Sequence, residues 1–302
     1  MGALVRGREA RESGRADQIL ISSSTRSIQY CNRSLHQFRR PLTHFRTRSL
    51  CATTRGKAGL ENGKTALVTG GSGGIGGSIA KRLASDGFQV AVQYCGASEA
   101  ADKVVAEIAA AGGAAFSIRA DVSQEVEVAE MFDTVMARGT CDVVVHSAGM
   151  MELAPISANA LDGFDRTIAT NLRGTYLAMC AAAEHMPKSG RFIALSTSVI
   201  GVNFPRYGAY IASKLGVEGL VRVFANEMRG RGISVNAVAP GPVATPLFLQ
   251  GKSQEEIDRL AALPPLERLG TPEDIAAVVS FLAGPDGGWV NGQVLRANGG
   301  FA

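Results

Sequence analysis

The 302-residue chain holds only five cysteines, four histidines and one tryptophan, and aromatic residues make up just 6% of it. Two of the cysteines lie in the first 60 residues, and Cys95, Cys141 and Cys180 show no C-x-x-C spacing. Such a set excludes a disulfide framework and fits free thiols in a reducing compartment. His146 and His185, the two histidines beyond the first 60 residues, lack partners at metal-ligand spacing, so no metal site is expected. No apolar run approaches the roughly 20 residues of a membrane span, so no membrane partner is expected either.

Negative charge is scarce at the start of the chain. Residues 1–60 carry eleven Arg and one Lys against Glu9, Glu12 and Asp17 alone. Rich also in Ser and Thr, and without a long apolar core, residues 1–58 have the composition of an organellar transit peptide. A chloroplast or mitochondrion is the implied destination; a disordered basic tail without an address, and a cytoplasmic protein, is the alternative. The lack of an apolar run before a small-residue cleavage site argues against a secretory signal. Residues 61–302 carry a net charge of −5, which gives no support to a nucleic-acid partner.

From residue 64 on, short β-rich apolar runs alternate with helical patterns. Strands are expected at 64–70, 88–94, 114–121, 141–149, 191–198 and 233–240, with a last one in "GQVLRANGG". Helices are expected at about 75–86, 98–111, 124–137, 159–186, 208–229 and 272–283. Continuous apolar strands between helices imply a parallel sheet covered on both faces, and right-handed crossovers make it doubly wound. The fold class is therefore α/β, one domain over 59–302. Ligands of such sheets bind beyond the carboxyl ends of the strands, which directs attention to 70–76, 121–122, 147–149, 196–198 and 240–245.

The first of these reads "TGGSGGIGG" (69–77), a glycine turn between strand and helix. Glycines permit a tight turn and close backbone approach to a pyrophosphate, while the helix N-terminus supplies N–H groups to phosphate oxygens. Gly70, Ser72, Gly74, Ile75 and Gly76 are the candidate contacts. No Lys-Ser or Lys-Thr follows, which disfavours a P-loop. The second strand runs out through "VQYCGASEA" with no acid between Gly87 and Ser98. An acid there would bind a ribose 2′-hydroxyl and favour NAD; its lack favours NADP (NADPH), the 2′-phosphate leaning on Ser72, Tyr94 and Ser98.

"YGAYIASKLG" (207–216) sets two tyrosines before one lysine. Tyr210 and Lys214 are four apart and share a helix face. An ammonium beside a phenol stabilises the phenolate, lowering an ordinary pKa of about 10 toward the range useful for proton transfer. "TGGSGGIG", "YIASK" and "PGPVAT" (240–245) together resemble the short-chain dehydrogenase/reductase family over 62–302. "RLGTPEDIAAVVSFLAGPDGGWVNGQVLRANGG" (268–300) resembles its branch of tetrahydroxynaphthalene-reductase-like and plant NADPH-dependent aldehyde-reductase-like enzymes.

The resemblance implies hydride transfer from a nicotinamide to a carbonyl, with Tyr210 as acid/base and Lys214 holding the ribose. Asn171 matches the asparagine that organises a proton-relay water. Asp121 and Val122 should cradle the adenine, Ser147, Ala148 and Gly149 the ribose, and Pro240, Gly241, Val243 and Thr245 the nicotinamide carboxamide. Tyr207 matches the spacing of related enoyl reductases, but its segment resembles the mouth of a carbonyl-reductase pocket. The family commonly places a catalytic serine thirteen residues before the tyrosine; here that residue is Thr197, with Ser196 and Ser198 as the neighbouring alternatives. "HSAG" (146–149) stands where the family commonly has N-N-A-G, and His146 reads as strand-end packing.

Residues 246–264 read as a substrate lid, and Met150, Met151 and Phe204 as pocket lining. The expected activity is reduction of a ketone or aldehyde by a homodimer or homotetramer. The alternatives are 3-oxoacyl-carrier-protein reduction, for which Arg206 is the lone basic candidate at the mouth, and a cofactor-binding scaffold without turnover.

Overall fold

The computed structural model describes residues 63–302. The leader expected over 1–58, and the first residues of the domain expected from 59, lie outside the described residues. The apolar runs form seven parallel strands: β1 (Thr65–Thr69), β2 (Gln89–Tyr94), β3 (Ala114–Arg119), β4 (Cys141–His146), β5 (Arg191–Leu195), β6 (Ser234–Pro240) and β7 (Val294–Ala297). They stand in the order β3-β2-β1-β4-β5-β6-β7. The chain winds outward from β1 in one direction and from β4 in the other, so strand order reverses between these two.

Strand alternation explains why both faces must be covered. Leu67, Val144, Phe192, Ala194, Val235 and Ala237 point into one core, with Val128, Phe132, Ala178, Met179, Val217, Val221 and Phe224. Those partners come from helices α3 (Glu125–Met136), α5 (Gly174–His185) and α6 (Gly208–Glu227). The intervening residues Ala66, Val68, Val143, Val145, Ile193 and Leu195 point into a second core. There they meet Ile79, Leu83, Val104, Ile108, Ile275 and Val279 of α1 (Gly74–Ser85), α2 (Glu99–Ala110) and α9 (Pro272–Ala283). Phe192 and Phe224 meet edge to face at 5.6 Å, and truncating such a fully buried ring costs about 3–5 kcal/mol.

The ends of the helices have local causes. In α9, Thr271 and Asp274 satisfy each other's backbone N–H groups in a capping box with Pro272 at the first turn. The helix expected over 159–186 is not uniform. It begins as α4 (Leu161–Thr167), widens into a π turn at Ile168–Arg173 and continues as α5. Asn171 sits in that widened turn, a distortion that side-chain periodicity does not announce. The expected lid contains two short helices, α7 (Pro246–Leu249) and α8 (Gln254–Ala261).

Candidate active site

A cleft of about 1050 Å3 opens along the carboxyl ends of the strands, at the reversal of strand order. Its lining includes Gly70, Ser72, Gly74, Ile75 and Gly76 from the glycine turn, and Tyr94 from the end of β2. Asp121, Val122, Ser147, Ala148 and Gly149 line it from the exits of β3 and β4. Pro240, Gly241, Val243 and Thr245 line it beyond β6, and Ser196, Thr197, Tyr210 and Lys214 complete the wall. Two expected residues do not line it. Ser98 is carried past the cleft by the turn before α2, and Cys95 and Gly96 line the wall instead. Asn171 is fully buried behind the wall.

The glycine turn is held from behind by a residue that sequence reasoning passed over. Gln93 Oε1 accepts the Gly70 N–H at 2.7 Å, and the Gln93 carbonyl accepts the Gly71 N–H at 2.9 Å. Its amide donates at 2.5 Å to the Ala120 carbonyl, tying the turn to the exit of β3. The signal was present: a glutamine in a strand buried on both faces must find internal partners. Gly70 has φ of +62°, and a Cβ there would stand 2.9 Å from the Ala148 backbone. Helix α1 has Gly73 at its N-cap and so no side-chain cap, leaving first-turn N–H groups for an anionic ligand.

At the other end of the cleft, Asn171 Oδ1 accepts the Met150 N–H at 2.8 Å. Its Nδ2 donates to the Met150 carbonyl at 2.9 Å and to Ser213 Oγ at 3.0 Å. A Cβ on Gly149 would stand 3.2 Å from Asn171 Oδ1 and 3.5 Å from Lys214 Nζ, so both groups converge on this glycine. Lys214 Nζ donates to the Leu195 carbonyl at 2.7 Å. Burial pulls its ammonium down to about 8.

The three hydroxyls after β5 have different partners. Thr197 Oγ1 accepts the Val199 N–H at 3.3 Å and shares the cleft wall with Tyr210, whose pKa it lowers. Ser196 Oγ donates to Glu218 Oε1 at 2.7 Å. Ser198 Oγ donates to the Ala239 carbonyl at 2.8 Å and accepts from Asn298 at 3.0 Å. Backbone at Thr197 is still extended (φ −157°, ψ 142°), so alternation turns it opposite to Ser196. The expected lowering of the Tyr210 pKa by Lys214 does not appear. Burial pushes the phenol up to about 12, with the Thr197 hydroxyl opposing the rise and Tyr207 adding to it. The lysine's bond is directed at the Leu195 carbonyl instead.

Tyr207 lies 6.5 Å from the Tyr210 ring and 5.8 Å from that of Phe204, centroid to centroid. Burial raises its pKa, and the charge of Glu256 adds to this. Met150, Met151, Phe204, Phe248 and Phe301 make this end of the cleft apolar, with Lys252, Glu256 and Arg259 of the lid at its rim. Arg206, expected at the mouth, is not among the residues lining the cleft; it has φ of 74° and donates to the Leu153 carbonyl at 3.0 Å. His146 is buried, its Nδ1 3.1 Å from Thr69 Oγ1 and its Nε2 without a partner among the described residues. Thr69 Oγ1 also accepts the Ala148 N–H at 3.1 Å, which fixes the turn after β4.

Comparison with known proteins identifies the family. A family profile described as "Enoyl-(Acyl carrier protein) reductase" matches residues 70–302. A "Short-chain type dehydrogenase/reductase" of Picea abies is 41% identical over 244 residues, 77% of this chain and 90% of that protein. An Arabidopsis thaliana protein named "NADPH-dependent aldehyde reductase-like protein, chloroplastic" is 37% identical over 249 residues, 78% of this chain and 92% of its own. Among solved structures, a blue fluorescent protein from a metagenomic library in complex with NADPH superposes with a TM-score of 0.75 at 37% identity. That match covers 80% of this chain and 98% of the other. The chain belongs to the short-chain dehydrogenase/reductase family.

Proposed function

We propose that the protein is an NADPH-dependent carbonyl reductase that converts a ketone or aldehyde to an alcohol, with Tyr210 as the proton donor. The observation that carries this reading is the convergence of Thr197, Tyr210 and Lys214 on one cleft, with Lys214 Nζ held by the Leu195 carbonyl at 2.7 Å. The residues present suit the dinucleotide. The first turn of α1 offers uncapped N–H groups to a pyrophosphate, and the exit of β2 carries Tyr94, Cys95 and Gly96 where an acid would repel a 2′-phosphate. The Arabidopsis relative is named as NADPH-dependent, and the metagenomic protein was solved with NADPH.

When bound, the nicotinamide supplies the hydride that reaches the carbonyl carbon. The Thr197 hydroxyl donates to the carbonyl oxygen and holds it against the phenol. Tyr210, kept protonated by burial, gives that oxygen its proton as negative charge develops there. Lys214, steered by the Leu195 carbonyl, offsets the charge left on the phenolate. Asn171 anchors Met150 and Ser213 around the widened helical turn, which fixes the wall beside Gly149 and Lys214. The apolar far wall excludes bulk water from this exchange.

The description of the matching profile favours a second reading, reduction of an enoyl thioester with Tyr207 as the acid. The Tyr207 ring packs with Phe204, and the contact between Thr197 and Tyr210 has no part in that chemistry. The residues at 1–58 and the chloroplastic name of the relative support import into an organelle. Exposed Tyr176 on α5 and Leu215 and Val223 on α6 support assembly of copies through these helices.

The test is loss of NADPH absorbance with aldehydes, ketones, quinones, a 3-oxoacyl-carrier substrate and an enoyl thioester. Turnover of a simple carbonyl compound that disappears in Tyr210→Phe supports the reading. Turnover of the enoyl thioester alone, or NADPH binding without turnover of any compound, overturns it.

A further inference from the structure

Helix α6 makes three contacts with the exit of β5, and the reaction uses two of them. Tyr210, Lys214 and Glu218 follow one another at four-residue intervals, so they stand in a row on one helix face. Opposite them run Leu195, Ser196 and Thr197. Tyr210 meets the Thr197 hydroxyl, Lys214 Nζ meets the Leu195 carbonyl at 2.7 Å, and Glu218 Oε1 meets Ser196 Oγ at 2.7 Å.

We propose that Glu218 is a positioning residue, which holds the Ser196 hydroxyl away from Tyr210 and thereby presents Thr197 to it. This rests on the reading of Tyr210 as the proton donor. The argument is one of strand phase. Ser196 and Thr197 carry interchangeable chemistry and point to opposite sides of an extended backbone, so a slip or twist at the strand end exchanges them. Past the ladder, which ends at Leu195, the backbone holds this residue through one bond, from the Ser196 N–H to the Val238 carbonyl at 2.7 Å. Glu218 adds a second, charge-assisted restraint on the side chain itself. Ser196 is 4% exposed, so its hydroxyl has no bulk water to turn to once that acceptor is removed.

The restraint also couples the two elements. The same row that presents Thr197 fixes the Leu195 carbonyl to which Lys214 is bound. Loss of Glu218 therefore disturbs the geometry of proton transfer and leaves the glycine turn, some distance along the cleft, as it was.

The experiment uses the full chain with NADPH and para-nitrobenzaldehyde, an aryl aldehyde suited to the apolar end of the cleft. Ser196→Ala, Glu218→Ala, Glu218→Gln, the Ser196→Ala/Glu218→Ala pair and Tyr210→Phe are compared for kcat, KM and NADPH affinity. Glu218→Ala and Ser196→Ala are each expected to lower kcat about tenfold with KM and NADPH affinity unchanged, the loss of one charge-assisted hydrogen bond. The pair should be no slower than either single variant, because both remove the same bond. Glu218→Gln keeps an acceptor oxygen and should restore most of the rate.

Unchanged kcat per folded molecule in Ser196→Ala, losses that multiply in the pair, or a Gln variant as slow as the Ala variant overturns the proposal. Ser196→Ala keeps the test decisive if Glu218→Ala does not fold. Turnover that survives Tyr210→Phe, or none in the unaltered protein, overturns instead the reading on which the proposal rests.

Discussion

Thr197 and Tyr210, thirteen residues apart in sequence, line one cleft where the exit of β5 faces the first turn of α6, close enough for the threonine hydroxyl to lower the phenol's pKa. The arrangement sets a small hydroxyl donor beside a phenol that burial has pushed up to about 12. A phenol in that state is protonated throughout the neutral range. It is therefore set up to give a proton, and the Thr197 hydroxyl works against the full rise.

Replacing each tyrosine separately distinguishes their roles. Tyr210→Phe removes the proton donor and keeps the ring, and kcat for carbonyl reduction is expected to fall roughly 10²–10⁴-fold. Tyr207→Phe should stay within a few-fold in kcat and act mainly on KM, since Tyr207 faces Phe204 and the charge of Glu256. Steady-state kinetics of both variants decide the matter. Equal losses would count against the assignment.

Thr197→Ser keeps a hydroxyl and should retain most activity, whereas Thr197→Ala should lose roughly 10²-fold, the usual effect of removing one oxyanion donor. The Thr197 hydroxyl lowers the Tyr210 pKa, so its removal raises it further. The alkaline fall in reduction rate belonging to the phenol should thus move to higher pH in Thr197→Ala. A pH–rate profile with that limb unmoved contradicts the contact.

Cofactor choice is testable at the end of β2. Cys95→Asp puts a carboxylate where the cleft wall has none of its own from that strand. Repulsion of a 2′-phosphate should weaken NADPH binding about tenfold or more while NADH binding holds or improves. Fluorescence titration with both cofactors reads the ratio. A ratio that does not change places the 2′-phosphate elsewhere.

His146 links stability to pH. Burial, aided by the charge of Lys214, holds its imidazole down to about 3 against an ordinary value of 6.5. Between those values the unfolded chain binds the proton and the folded protein does not, so stability falls as pH falls from 6.5 and levels off below about 3. The slope approaches about 1.4 kcal/mol per pH unit. Urea unfolding at pH 7 and pH 5 should show a smaller loss in His146→Asn than in the unaltered protein. Parallel losses would show that His146 contributes nothing to the acid limb.

Most of the fold was legible because it is written in local patterns. Each strand expected from an apolar run is present, β2 and β6 to their expected carboxyl ends and the others stopping short of theirs. The expected 191–198 ends as a ladder at Leu195, and 141–149 at His146, since beyond those points the chain turns into the cleft. The glycine turn, Tyr210 and Lys214 were legible for the same reason, each defined by spacing along one element. Ser98 was not, because its place depended on how sharply the chain turns after Tyr94. Gln93 and Glu218 were passed over: one looks like an interruption in an apolar strand, the other like any acid on a helix.

The sequence by itself determined the alternation of strands and helices, the parallel doubly wound sheet and the end of that sheet where chemistry collects. Periodicity and turn residues act within a few residues of each other, and a single chain displays them. Only the tertiary structure decided that Thr197 meets Tyr210, that Ser196 is held by Glu218, and that Gln93 braces Gly70. Those pairings depend on the phase of a strand at its last residue against the rotation of a helix packed beside it. A shift of one residue reverses which hydroxyl faces Tyr210, and nothing local to either segment sets that shift.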